Sequence, residues 1–185
     1  RRFIFVTVDV FSDRRFGGIP LAVFPDARGM SDSEMQALAA EFNLSETTFV
    51  LPPDDPANTA RVRIFNRVAE MPFAGHPNVG TGHVLADRAV DGVLRFEEIA
   101  GLVIVQVGAE DLTTIAAPQP LSLGPDMAPQ ALAACLGLPA EAVLAVPHRP
   151  VMASVGNSFV IARLAPGALA RAVPNLAAFE KALQD

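Results

Sequence analysis

The chain has 185 residues, 51% of them hydrophobic, and a formal net charge of -6. That is enough for one full domain, or one plus part of another, and excludes an intrinsically disordered segment. The fourteen Lys and Arg are scattered with no basic stripe, so a nucleic-acid partner is excluded on charge.

From Phe3 to Phe11 the residues alternate and β-branched types dominate, which predicts a strand. This apolar run is short and broken by Asp9, unlike a signal peptide. Gly17-Gly18 turns the chain into a second strand, Leu21 to Phe24. Ser31 and Glu34 have the spacing of a capping box, Met30 and Met35 can staple the entry, and Met35, Leu38, Ala39 and Phe42 repeat on one face, so a helix follows. Strands are predicted over Thr47 to Leu51 and Thr59 to Phe65, separated by the loop Pro52 to Asn58. Arg61 and Arg63 then share the face opposite Ala60, Val62 and Ile64 and read as a solvated sheet face. A helix over Pro77 to Val90 precedes short strands at Val93 to Ile99, Leu102 to Gly108 and Leu112 to Ala116.

The proline-rich stretch from Pro118 to Pro129 reads as a linker. This gives three parts: a domain over residues 1–117, a linker over 118–130 and a partial second domain over 131–185. Gly156 to Ile161 repeats the placement of Gly18 to Val23, a strand ahead of helical sequence, which suggests duplication. A second copy ending at Asp185 lacks counterparts of the later strands. Cys135, the only cysteine, excludes an internal disulfide and fits a reducing cytoplasm. No apolar segment approaches the roughly 20 residues needed to cross a bilayer, so the expectation is a soluble cytoplasmic protein.

Two segments carry candidate chemistry. In Ala74-Gly75-His76-Pro77-Asn78-Val79-Gly80, proline at the first helical position makes His76 the expected N-cap. Free N–H groups at such a start attract an anion such as a carboxylate. Gly75 and Gly80 leave room for a ligand, Asn78 can donate from its amide, and His76 can act as donor or proton shuttle. A plain helix cap with glycines serving a tight turn is the other reading. The lysine of a phosphate-binding P-loop is missing, and no third ligand completes a zinc site with His76 and His83. His83 and His148 read as ordinary histidines. Glu46, in Ser45 to Val50, stands among Phe42, Leu44, Phe49 and Val50, a setting that raises a carboxyl pKa toward that of a general acid/base. An exposed glutamate in a connecting turn is the alternative. Cys135 reads as a buried structural thiol.

Val8 to Phe24, Leu44 to Val50 and Glu70 to Gly80, in that order and spacing, resemble the phenazine-biosynthesis PhzF-like isomerases, which adopt the diaminopimelate epimerase fold. The resemblance covers about the first 110 residues, and Gly156 to Leu164 resembles the start of the family's second domain. It implies an α+β fold of two similar domains, each a curled, mostly antiparallel sheet around a central helix. It also implies cofactor-free, metal-free proton transfer on a small cyclic carboxylic acid. Glu46 matches the family's catalytic glutamate and His76 its active-site histidine. Gly75 falls where the family backbone approaches the substrate carboxylate, with Pro77, Asn78 and Gly80 alongside.

Two departures follow from the same resemblance. Ile19 stands where the family usually has Asn, and the family's TGSA-like motif, about a hundred residues further on, is missing. The second domain therefore reads as truncated. The expectation is a homodimer, or pairing with a missing C-terminal segment. The favoured function is an isomerase of this type, incomplete in this chain. The alternative is a non-catalytic anion-binding or interaction protein. A two-base racemase needs a pair of cysteines, and there is one.

Overall fold

The computed structural model describes residues 1–109 and 112–182. The chain divides into two compact units, Arg1–Gln119 and Pro120–Asp185.

The first unit opens with the antiparallel pair β1 (Val6–Val10) and β2 (Ile19–Phe24), in register from Val6↔Val23 to Val10↔Ile19. The next element, α1 (Asp32–Phe42), has the expected capping box. The Ser31 hydroxyl accepts from the Glu34 amide, and the Glu34 carboxylate accepts from the Ser31 amide at 2.7 Å. Asn43 closes the helix in the left-handed conformation, φ 53°, a position Asn tolerates. Strands β3 (Thr47–Leu51), β4 (Ala60–Phe65) and the short β5 (Glu70–Met71) follow, then α2 (Gly75–Val84). The antiparallel strands β6 (Val93–Glu98), β7 (Gly101–Val107) and β8 (Thr113–Ala116) complete the unit.

The eight strands form one mixed sheet in the order β1-β2-β3-β4-β6-β7-β8, with β5 paired to β4. Only β2–β3 and β4–β6 run parallel. The curl of the sheet follows from its contacts. Helix α2 packs against β1 and β2 at one edge and β7 and β8 at the other. Laid flat, strands at about 4.8 Å spacing would put the two edges about 29 Å apart, roughly three times the helix diameter. One helix reaches both only if the sheet wraps around it.

That wrapping explains the composition of α2. Pro77, Asn78, Gly80, Thr81 and Gly82 are all buried, and the helix has no long apolar side chain at these positions. A Cβ on Gly80 would lie 2.6 Å from Leu21 Cδ2 and 2.8 Å from Val10 Cγ2. One on Gly82 would lie 2.6 Å from Val105 Cγ1. The glycines let strands from both edges approach the helix backbone. On the outer face, α1 packs Met35 and Ala39 against Phe24, Phe49 and Phe65, with Met30 in the same cluster. Phe24 and Phe49 stack at 4.9 Å between centroids, and Phe65 meets Phe49 edge-on at 5.6 Å. The middle strands are thus covered on both faces, so β2 buries four consecutive residues, Leu21 to Phe24, where an open sheet would alternate.

Several boundaries differ from the sequence expectation. The predicted helix over Pro77 to Val90 begins two residues earlier, at Gly75, and ends at Val84, followed by a short 3-10 turn at Ala86–Arg88. Of the two arginines expected on a solvated face, Arg61 is there, its side chain 42% exposed, and Arg63 is not. Arg63 is only 17% exposed and makes a two-pronged contact with Glu70, Nε and Nη2 each at 2.6 Å, while Nη1 reaches Asp32 at 2.5 Å. The guanidinium ties β4 to β5 and to the first turn of α1, and these acids hold its own proton more tightly still.

In the second unit, β9 (Ser122–Asp126) lies within the proline-rich stretch expected as linker. It is followed by α3 (Pro129–Cys135), β10 (Val143–Leu144), β11 (Val151–Ser154), β12 (Ser158–Ile161), β13 (Arg163–Leu164) and α4 (Leu176–Ala182). The order β12-β11-β9 makes one antiparallel sheet, and β10 pairs with β13. Leu132, Ala133 and Val143 form its core with Val160 and Leu164 against them. Cys135 is buried and free.

Candidate active site

Glu46 immediately precedes β3, and His76 lies in the first turn of α2. The two segments meet because β3 is in the middle of the sheet that wraps this helix. A buried hydroxyl pair, Thr48 Oγ1 and Thr81 Oγ1 at 2.9 Å, joins them further in. The result is a contact of 3.4 Å between Glu46 Oε2 and His76 Nε2, with side chains 18% and 12% exposed. Neither atom has another partner among the described residues.

The pair is not an ordinary ion pair. Burial raises the Glu46 carboxyl above its usual range and lowers the His76 imidazole below its own. Desolvation penalises the charged form of each. Both are therefore pushed toward neutrality, the state in which one carboxyl proton is available between an acid and a base.

The helix start differs from the expected one. Ala74, extended at φ -151° and ψ 141°, is the N-cap and has no side-chain cap. His76 is thus the second residue of the helix, and Pro77 the third. Proline is tolerated there because none of the first four amides has a partner inside the helix. Gly75 and His76 keep their N–H groups at the helix mouth. A Cβ on Gly75 would find nothing within 4 Å, so the backbone faces open space. Uncapped amides beside an open glycine, at the positive end of a helix, suit an anionic group.

The structure brings Glu46, His76 and Gly75 together and puts the other three expected residues to different use. Pro77 and Asn78 are buried, and the Asn78 amide donates to the Ala74 carbonyl at 3.0 Å. The Cβ direction of Gly80 is filled by Leu21 and Val10. Of the other histidines, His83 lies in the last turn of α2 and His148 contacts the Arg149 carbonyl at 2.8 Å. Among the described residues no group of three His, Cys, Asp or Glu is placed to hold a metal ion. No helix among them is long and apolar enough to cross a membrane.

A cleft of about 480 Å³ opens where β4 and β6 part after Arg61↔Glu97, with Arg61, Arg63, Glu70, Met71 and Glu98 in its walls. Sequence reasoning missed Glu98, although β6 signals it. Leu94 and Phe96 are fully buried, and residue 98 has the same parity.

A curled sheet around a buried helix, with Glu46 and His76 in contact at the helix mouth, is the architecture of an epimerase-type α+β protein. A predicted epimerase from Pseudomonas aeruginosa superposes with a TM-score of 0.84 at 28% identity, over 97% of this chain and 67% of that one. A hydroxyproline epimerase from Agrobacterium vitis shares the fold at 13% identity and a TM-score of 0.57, over 90% of this chain and 52% of that one. The model of the phenazine biosynthesis-like (PhzC-PhzF) proteins matches residues 8–185, and the chain belongs to that family. It is 43% identical over 165 residues to an uncharacterized isomerase from Mesorhizobium japonicum, 84% of this chain and 54% of that protein. It is 39% identical over 137 residues to a trans-2,3-dihydro-3-hydroxyanthranilate isomerase from Pseudomonas aeruginosa, 72% of this chain and 49% of that protein. The chain spans about half the length of these two relatives.

Proposed function

We propose that the chain provides the acid/base apparatus of a cofactor-independent isomerase that moves a proton between carbons of a small cyclic carboxylic acid. Glu46 is the general acid/base, and His76 is its proton partner and substrate orienter. The observation that carries the reading is the 3.4 Å contact between two half-buried groups, both held toward neutrality, beside uncapped helix amides. The substrate carboxylate rests on the N–H groups of Gly75 and His76, where the open side of Gly75 admits it.

The chemistry is a transfer of one proton. As carboxylate, Glu46 removes a proton from an activated C–H, and as carboxylic acid, its proton exchanged with solvent, it protonates another carbon of the same conjugated system. No electrons leave the substrate. Burial sets the carboxyl closer to neutral pH, which is what both half-steps need. The relatives named as trans-2,3-dihydro-3-hydroxyanthranilate isomerases support an acid of that type.

The test is exchange in deuterated buffer. Incubated with 2,3-dihydro-3-hydroxyanthranilate, the chain incorporates deuterium at carbon, read by mass spectrometry, and Glu46→Gln abolishes incorporation. Undiminished incorporation in Glu46→Gln overturns the assignment. The open, uncapped mouth of α2 also supports a second reading, a binder of small carboxylates. Saturable binding with no exchange in the unmutated chain selects it.

A further inference from the structure

Glu98 ends β6, paired to Gly101 across the turn into β7, and the alanine between them, Ala100, donates its amide to Pro72 just ahead of α2. Strand parity points its side chain inward with Leu94 and Phe96. Both carboxyl oxygens are buried without a hydrogen-bond partner. Burial pushes the carboxyl up to about 8, and the neighbouring Asn78 amide is the group that opposes this.

Asn78 is fully buried, two residues beyond His76. One amide proton is committed to the Ala74 carbonyl, and Oδ1 has no partner. The acid and the amide together thus hold three buried oxygens without partners and, on the amide, a single uncommitted N–H. An ionised Glu98 adds no proton and sets its charge against the lone pairs of Oδ1. A neutral Glu98 brings the missing proton. A carboxylic acid and a primary amide match as a ring of two hydrogen bonds, O–H to Oδ1 and N–H to the acid carbonyl. That arrangement satisfies the amide and leaves the other Nδ2 proton on Ala74.

The charged groups around Glu98 do not supply an alternative charge balance for free. From β4 come Arg61 and Arg63, from β5 Glu70, from α1 Asp32, from the loop before β4 Asp54, and from β6 itself Glu97. Arg61 pairs with Asp54 at 3.5 Å, and Arg63 is held by Glu70 and Asp32. From α2, His76 is pushed toward neutrality. The buried Nε of Arg61, which has no partner, is the competing donor.

We propose that Glu98 is a positioning residue, a neutral acid paired with Asn78 that fixes the first turn of α2 and so the amides of Gly75 and His76. Its relevance to catalysis rests on the reading of that turn as the carboxylate-binding element. Ionisation of Glu98 breaks the ring and places a negative charge behind the anion cradle, so carboxylate affinity falls as pH rises past about 8.

The test reads the pair directly, apart from turnover. With carboxyl-labelled Glu and amide-labelled Asn, NMR between pH 5 and 10 follows one glutamate that titrates near 8 and disappears in Glu98→Gln, in a Glu46→Gln background that removes the other raised carboxyl. The Asn78 side-chain signals move with the same midpoint. In Glu98→Gln they stay at their low-pH position, because the glutamine amide makes both bonds at every pH. Glu98→Leu speeds hydrogen exchange at the Asn78 amide, in the first turn that the pair holds, at least tenfold relative to Glu98→Gln. Benzoate, a planar ring carboxylate, binds at least tenfold more weakly at pH 9.5 than at pH 6.5 in the Glu98 protein and equally at both in Glu98→Gln. Titration of Glu98 in the ordinary carboxylate range, which pairing with Arg61 would cause, overturns the proposal. So do Asn78 signals that ignore the titration. If the pair titrates as described while neither deuterium exchange nor benzoate binding is found, the inference stands and the functional reading fails.

Discussion

Gly80→Ala sets two known effects against each other. Alanine is favoured over glycine inside a helix by about 1 kcal/mol, so on an exposed helix the change stabilises. Here the added methyl would stand 2.6 Å from Leu21 Cδ2, 2.8 Å from Val10 Cγ2 and 3.2 Å from Val8 Cγ2. Leu21 is fully buried and Val10 nearly so, and a valine cannot swing a methyl aside without leaving its preferred rotamer. Overpacking of this kind costs about 1–3 kcal/mol. With two contacts below 3.0 Å the cost lies at the upper end of that range, about 2–3 kcal/mol, so the clash wins by roughly 1–2 kcal/mol. Urea denaturation followed by circular dichroism gives the answer as a lower midpoint at unchanged slope. Gly82→Ala, 2.6 Å from Val105 Cγ1, changes stability in the same direction. The control is Gly75→Ala, which meets nothing within 4 Å and leaves stability within about 0.5 kcal/mol while weakening carboxylate binding. If Gly80→Ala is as stable as the parent, the tight wrapping of the sheet around α2 is wrong.

Thr48→Val leaves the Thr81 hydroxyl buried without its 2.9 Å partner and costs about 1–3 kcal/mol, while the double change with Thr81→Val recovers part of the loss, as a double-mutant cycle in urea will show. Arg63→Ala strands the Glu70 carboxylate, 23% exposed, and lowers the thermal midpoint by an amount equal to about 1–3 kcal/mol, more than Arg28→Ala at the exposed Asp26 contact. The folded-state pKa of Glu98 lies above its unfolded value, so its stabilising contribution is full below about pH 4.5 and is lost as pH rises to about 8. The stability of Glu98→Gln consequently falls less over that window than the parent's, and an equal fall in both refutes the assignment. Ser31→Ala removes the α1 cap and costs about 1 kcal/mol, measured as a urea midpoint shift.

What was legible in the sequence was what is decided locally. Ser31 and Glu34 specify their helix start by reciprocal bonds three residues apart, and the strands at Thr47 and Ala60 show plain apolar runs. Glu46 and His76 each stand out by their neighbours, but 30 residues separate them in sequence. Their 3.4 Å contact follows from the curl of the sheet, which no local pattern encodes. The start of α2 was misplaced by two residues because proline is tolerated at any of the first positions, where amides have no helical partner anyway. Gly80 reads as ligand space because a glycine looks the same from sequence whether its missing Cβ makes room for a small molecule or for Leu21. Glu98 could have been found by extending the alternation of Leu94 and Phe96 one step.

The Thr48–Thr81 bridge has a bearing on how such proteins diversify. Glu46 and His76 adjoin an interior strand and lie in an interior helix, so their spacing is inherited with the framework and not with the surface segments around it. Loops such as Pro52 to Asn58 can drift in length and character without disturbing that spacing. A scaffold built this way lets the surroundings of the pair change from one descendant to the next while the pair itself stays as it was.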